Sequence, residues 1–417
     1  MIKNKRKTRF KIRFLFFLLI LFILVCCKEN DEETSHFAPA TLIYMVADNN
    51  LDYYAIQNIR QMERGLPDDA EGPVFVFITR RIGATPSHPY LLKIEKNNEY
   101  NYITSPIIQT YPQRNTIEPN FLKQVIKDVK NHSIRYNAKL QRIVLWSHGT
   151  GWVPEGTPFN EIDYVETVKN SKNDVVNYSF GLDETGNGDG IEHSREMCIK
   201  DLAVALENER FELLIMDACF MGAIEVAYEL RNIADFLILS PAEIVSSGFP
   251  YEEIIGCLSN FFIDPFEIAL SFFNYYNNLT GALQTASISV VNTKYLTDLS
   301  SAMSSVYSDY ALYENEISMD DYMQYDRTLS NYFFDFLNFV TRVSQYSQSD
   351  YYDVFIAYDL VLPLYLHTSK IFNMLDISET SGLSVYIPNL YSQRHEQHDY
   401  YKTLTWAKES NAEFLFN

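Results

Sequence analysis

Two short stretches hold the residue types best suited to chemistry. In "RIVLWSHGTGW" (142–152) an apolar run ends near His148, which is followed by Gly149 and Gly151. In "ELLIMDACFMGAIEVAYEL" (212–230) an apolar run ends at Asp217, and Cys219 comes two residues later. An imidazole beside a thiol can take its proton as sulfur attacks a carbonyl, and can return that proton to a leaving amine. Glycine after the histidine lets the backbone bend tightly and approach a ligand. The backbone N–H groups of Gly149 and Cys219 are then candidates for an oxyanion hole. A helix read over 221–230 would put Cys219 at its mouth, where helix-start amides lower a thiol pKa. Taken singly, a lone Cys is most often a buried structural residue and a lone His a turn residue. Together at two strand ends, they point to acyl transfer.

The two groups meet only if their strands are neighbours. Buried strands are predicted at 41–46, 72–80, 142–147, 212–216 and 235–240. Helices are predicted between them at 51–64, 118–131, 199–208 and 221–230, with a hairpin of 88–96 and 97–104 around Asn97-Asn98. Continuous apolar strands alternating with helices imply an α/β fold whose mostly parallel sheet is covered on both faces. In such sheets the active site lies at the carboxyl ends of the strands. From about residue 252 the pattern turns largely helical, with amphipathic segments at 265–278, 293–312, 327–345 and 349–362. Strands are expected at 285–292 and 381–388, the second returning late enough to rejoin the main sheet.

Composition narrows the function classes. At 417 residues the chain supports a large core. Its 30 Tyr and 28 Phe argue against extensive disorder. A formal net charge of −20 argues against nucleic-acid partners, which require clustered Lys and Arg. The N-terminus combines a basic stretch, "MIKNKRKTRFKIR", with the apolar run "FLFFLLILFILV" and then Cys26-Cys27. That order reads as a secretory signal over 1–26, and the run is short for a membrane span. It resembles a bacterial lipoprotein signal, with lipid expected on Cys27 and 27–40 as a flexible acidic tether. This implies an extracytoplasmic protein of the outer membrane or cell surface, held to the membrane by the lipid. Cys198, Cys219 and Cys257 remain, an odd number that leaves at least one thiol unpaired.

The pair "SHGTGW" and "MDACFMGAIEVAYEL" resembles the clostripain family of cysteine peptidases. "YMVADNNLD", "GLDE" (181–184), "SPAEIVSSGFPYEEI" and "SGLSVYIP" fit the same family. The resemblance implies a caspase-like three-layer sandwich, with a catalytic domain over 41–292 and a largely helical region over 293–417. It implies a His148–Cys219 dyad that hydrolyses peptide or protein substrates. It also implies that Asp217 lies in a pocket for a basic side chain preceding the scissile bond. Asp217 could instead cap the helix that follows. Glu243 is a further pocket candidate. Ser246-Ser247-Gly248-Phe249 departs from relatives that carry another acid there and a Trp after the glycine, which weakens the case for strict basic specificity. Asp48, Asn49 and Asn50 read as strand-to-helix caps with a contribution to the substrate cleft. Relatives can mature by self-cleavage, for which Lys169 and Lys172 are the candidate sites in the polar loop 153–180.

No cofactor is expected, with calcium kept as a minor alternative because some members of the resembled family use it. A partial calcium loop spans Thr185, Asn187, Asp189, Gly190 and Glu196, but a Gly-Asn-Asp turn explains it better. His395 and His398 lack a third ligand and read as surface residues. Cys198 and Cys257 read as core or incidental thiols. The chain is expected to be monomeric. The rival reading is a catalytically impaired surface lipoprotein that binds protein or glycan on the same fold.

Overall fold

The computed structural model describes residues 37–82, 85–98, 101–112, 115–155, 157, 180–181, 196–327, 331–388 and 395–416. The signal, most of the tether and Cys27 lie outside the described residues. So do Lys169, Lys172, Thr185, Asn187, Asp189 and Gly190. Ala38–Asn417 form one compact unit. No described helix is long and apolar enough to cross a membrane.

The centre is a sheet built from β1 (Ala38–Ala47), β2 (Val74–Ile82), β3 (Thr85–Pro86), β4 (Tyr90–Lys93), β5 (Ile107–Thr110), β6 (Ala138–Trp146), β7 (Phe211–Asp217), β8 (Ala234–Leu239), β9 (Ser287–Asn292) and β11 (Leu364–His367). The order is β11-β9-β8-β7-β6-β1-β2-β4-β5, with β3 beside β2. Strands β2, β1, β6, β7 and β8 run parallel, and the antiparallel pairs lie toward the two edges. Side chains alternate between faces, as the two-residue period of a strand requires. Leu42, Tyr44 and Val46 join one core while Ile43, Met45 and Ala47 join the other. The first core packs against helices Pro119–Ile134, Ile199–Leu206, Leu296–Tyr313 and Phe336–Ser347. The second packs against Asp52–Gly65, Tyr251–Ser259 and Pro265–Asn277. This is the three-layer α/β sandwich expected from the strand pattern.

Three segments differ from expectation. The tether ends early, because residues 38–40 are already strand and pair with β6. Pro39 is tolerated beside the register shift at Ala40/Thr41, where ladder hydrogen bonds are interrupted anyway. The described residues of the predicted 97–104 strand form no strand, and β4 pairs with Ile107–Thr110. Buried Glu63 holds the intervening chain, accepting from Thr104 and Ser105 N–H while its carbonyl accepts from Asn97 N–H.

The late strand does not rejoin the main sheet. It shortens to β12 (Ser384–Val385), paired with β10 (Phe334–Asp335). Ser384 N–H donates to Gly222 O and Tyr386 N–H to Glu225, which commits the segment to the helical layer. The strand that does join the sheet from this region is β11, antiparallel to β9.

Candidate active site

The site is built by register. Strands β1, β6 and β7 are adjacent, with Met45 opposite Trp146 and Trp146 opposite Asp217. His148 and Cys219 each follow their strand's paired residue by two positions. They therefore leave the sheet at the same level on neighbouring strands, at its carboxyl edge. Ser147 stitches the rim: its hydroxyl donates to Val46 O at 2.9 Å and its N–H to Asp217 O at 3.3 Å. Gly149 is packed so closely that a Cβ there would lie 2.8 Å from the Cys219 carbonyl oxygen. Any larger residue would push the histidine loop off the cysteine loop.

Asn50, at the end of β1, reaches His148 directly, with Oδ1 2.6 Å from Nε2. An amide oxygen only accepts, so this contact places the ring proton on Nε2 and leaves Nδ1 without one. Asn49 braces the turn ahead of the helix without capping it, accepting from Leu51 N–H at 2.9 Å and donating to Val46 O at 3.2 Å. Asp48 is buried beneath them. The triplet expected as caps with a share in the cleft thus divides by residue.

Cys219 does not sit at a helix mouth. The helix expected from 221 begins at Ile224, and Phe220 takes a positive φ of 60° in the intervening turn. The turn is held instead by the segment after β8: Phe220 N–H donates to Ala242 O and Gly222 N–H to Ser240 O. The thiol's nearest donor is Ile244 N–H, 3.3 Å from Sγ. Burial, reinforced by the negative charge of Glu243, pushes the thiol pKa up to about 12, against the pull of Ile244 N–H and Arg327. The helix-start lowering expected for this thiol is therefore replaced by a rise. Desolvation lowers His148 to about 4. Desolvation thus acts against charge on both partners.

Asp217 is buried beneath the loop after β8. One of its oxygens accepts from Phe249 N–H at 3.0 Å and Tyr251 O–H at 2.9 Å. Burial lifts its pKa to about 6, and these two donors oppose the rise. Gly248, at φ +65°, lies directly over the carboxylate, and a Cβ there would stand 2.6 Å from Oδ2. Tyr276 O–H donates to Gly248 O at 2.5 Å and Asn58 Nδ2 to Ser247 O at 2.9 Å, fixing the same loop. Glu243 is paired with Arg327, whose Nη2 is 2.6 Å from Oε1 and whose Nε donates to Oε2.

Sequence reasoning missed Arg327 and Ile244. Arg327 lies 84 positions from Glu243 in a segment with no motif, so nothing local marks it. His398, read as surface, is buried with Nε2 2.8 Å from Tyr386 Oη. Cys198 and Cys257 are free thiols away from the dyad, both with raised pKa from burial. Among the described residues no cluster of three His, Cys, Asp or Glu is placed to hold a metal.

Comparison with known proteins places this geometry. The clostripain family pattern matches residues 43–414. Clostripain of Hathewaya histolytica is 26% identical over 240 residues, a match covering 51% of this chain and 40% of that protein. The chain thus spans less than half the length of that curated relative. The structure of an inactive zymogen C11 protease from Parabacteroides distasonis is similar at a TM-score of 0.70 and 26% identity, covering 90% of this chain and 98% of that one. A secreted C11 cysteine protease from Bacteroides thetaiotaomicron, solved in complex with an irreversible peptide inhibitor, shares the fold at a TM-score of 0.70 and 24% identity, covering 90% and 99%. With the family pattern running through nearly the whole folded unit, this chain belongs to the clostripain family of cysteine peptidases and has its caspase-like fold.

Proposed function

We propose that this chain is a cysteine endopeptidase in which His148 and Cys219 form the dyad. The observation carrying this reading is the in-register exit of the two residues from adjacent parallel strands. Neutral His148 takes the thiol proton as Sγ attacks the peptide carbonyl. Backbone N–H groups of Gly149 and Cys219 receive the developing oxyanion. The C–N bond breaks as the imidazolium protonates the departing amine, leaving a thioester on Cys219. Water, deprotonated by His148, then attacks the thioester; the acid product leaves and the thiol is restored. Asn50 keeps the imidazole proton on Nε2, which leaves Nδ1 as the nitrogen able to take the thiol proton. Asp217 is the acid that supports a basic residue before the scissile bond, Glu243 being held by Arg327.

The test is hydrolysis of a mixed peptide library by purified protein. Cys219→Ala and His148→Ala are each expected to lower kcat/KM by at least about a thousandfold, and a thiol-reactive peptide probe should label only the wild type. Cys219→Ala hydrolysing at the wild-type rate would refute the assignment. The surroundings of the thiol favour a second reading, a binding protein on the same fold: burial and the nearby Glu243 carboxylate work against forming the thiolate. On that reading no probe labels Cys219 and no peptide is cut.

The N-terminal proposal is a lipid on Cys27 that anchors the enzyme outside the cytoplasm. Metabolic labelling with a fatty acid, lost in Cys27→Ala, tests it. Self-cleavage after Lys169 or Lys172 predicts new N-termini in wild type that are missing in Cys219→Ala.

A further inference from the structure

Glu243 is placed to meet a substrate, yet it already has a partner from its own chain. Its neighbours on both sides are bound to the nucleophile turn: Ala242 O accepts from Phe220 N–H, and Ile244 N–H reaches Cys219 Sγ at 3.3 Å. The Glu243 side chain therefore projects from the wall nearest the thiol. Arg327 grips it through both Nε and Nη2, the two-pronged geometry that a guanidinium and a carboxylate form best. Both side chains are largely removed from solvent, at 19% and 18% exposure. The guanidinium also lies over the Phe372 ring at 4.8 Å, with Met374 Sδ beside it at 3.9 Å. This is how a protein binds an arginine side chain from a ligand: a carboxylate at the fork and an aromatic face above the plane. Here the arginine is internal.

We propose that Arg327 is a specificity-determining residue: it occupies the Glu243 subsite that a basic peptide side chain would otherwise take, so the protein discriminates against cationic side chains there. This rests on the peptidase reading for its consequence in catalysis, but the subsite itself is open to test without turnover. Specificity is a difference of affinities, and an occupied acid supplies the unfavourable half of that difference.

The experiment measures binding of benzamidine, with neutral benzamide as control, by calorimetry on the full folded chain. Arg327→Met keeps an unbranched apolar stem at this position while releasing Glu243. It is expected to bind benzamidine about tenfold more tightly than wild type, with benzamide unchanged. Adding Glu243→Gln should abolish the gain. Arg327→Lys, which keeps a cation, should stay near wild type. Equal benzamidine affinity in wild type and Arg327→Met overturns the proposal. A second check does not depend on how well Arg327→Met folds. Glu243→Gln alone should leave benzamidine affinity unchanged, because Arg327 already holds that acid; a fall would show the acid open in the wild type and would also overturn it. Turnover gives the matching readout: the kcat/KM ratio for an arginine peptide over its citrulline analogue should rise about tenfold in Arg327→Met. If no form cleaves any peptide, the peptidase reading fails while the binding result still decides the subsite.

Discussion

The helix Tyr251–Ser259 presents two contrasting ends to the sheet. At its start, Asp217 on the last position of β7 accepts from Phe249 N–H and the Tyr251 hydroxyl. At its finish, Arg142 midway along β6 donates to the carbonyls of Cys257, Leu258, Asn260 and Phe261. A carboxylate at a helix start and a guanidinium at a helix end both match the helix dipole. The chemistry around them differs. Arg142 is fully buried, and its charge is spread over four carbonyls and Glu212. No site residue lies beside it, so this end serves stability. Asp217 has a titrating carboxyl two residues from the thiol. The carboxyl edge holds a buried carboxyl whose pKa has risen to about 6, and the other end of the helix holds a buried cation.

The strongest way to break this contrast is Arg142→Met. It removes the donor to four buried or half-buried carbonyls and takes the cation from Glu212, which keeps Gln141. The expected loss is about 3 to 5 kcal/mol of unfolding free energy, read as a lower urea midpoint with unchanged m-value. Activity per folded molecule should hold. A variant as stable as wild type, or one that folds but turns over poorly, would show that the two ends are not divided as argued.

Asp217→Asn sharpens the other half. The folded pKa of about 6 lies above the ordinary 3.8. The native state therefore binds this proton more tightly than the unfolded chain does, so the group's contribution to stability is present at low pH and is lost as pH rises from 3.8 to about 6. Asparagine cannot titrate. The unfolding free energy of wild type relative to Asp217→Asn should fall by roughly 2 kcal/mol across that window and stay flat above it. Urea midpoints at several pH values read this directly. A pH-independent difference would mean that the buried carboxyl does not carry the proton balance assigned to this edge.

The parallel core was legible in the sequence because each central strand is a continuous apolar run, and buried parallel strands need nothing subtler. His148 and Cys219 were legible because polar residues closing such runs fall at the carboxyl edge wherever the register lands. The 97–104 strand failed because Glu63, distant in sequence, satisfies those backbone amides from the side. Strand 381–388 failed because its apolar pattern suits a sheet or a helical layer equally, and Glu225 decides between them. The helix-start argument for Cys219 failed over a few residues of boundary, the least secure part of any helix reading. The Glu243–Arg327 pair could not be read at all, since a charge pair across two loops leaves no periodic trace.

Asn50 provides the smallest and most discriminating comparison, because it borders the dyad without taking part in bond making. Were it a cleft residue that only touches substrate, Asn50→Ala would raise KM and leave kcat and the pH profile as they were. A positioning residue behaves otherwise. Removing the Oδ1 acceptor frees the imidazole to place its proton on either nitrogen, and the imidazolium formed during attack loses its partner. kcat should then fall about tenfold with KM little changed. Asn50→Asp keeps the acceptor and adds a negative charge 2.6 Å from Nε2, if the side chain holds its place. A nearby carboxylate favours the imidazolium, so the His148 pKa should rise from its depressed value near 4. The acid limb of kcat/KM against pH should accordingly move to higher pH in Asn50→Asp, while Asn50→Ala shows no such upward shift. Identical limbs in wild type and Asn50→Asp would return Asn50 to the substrate side of the cleft.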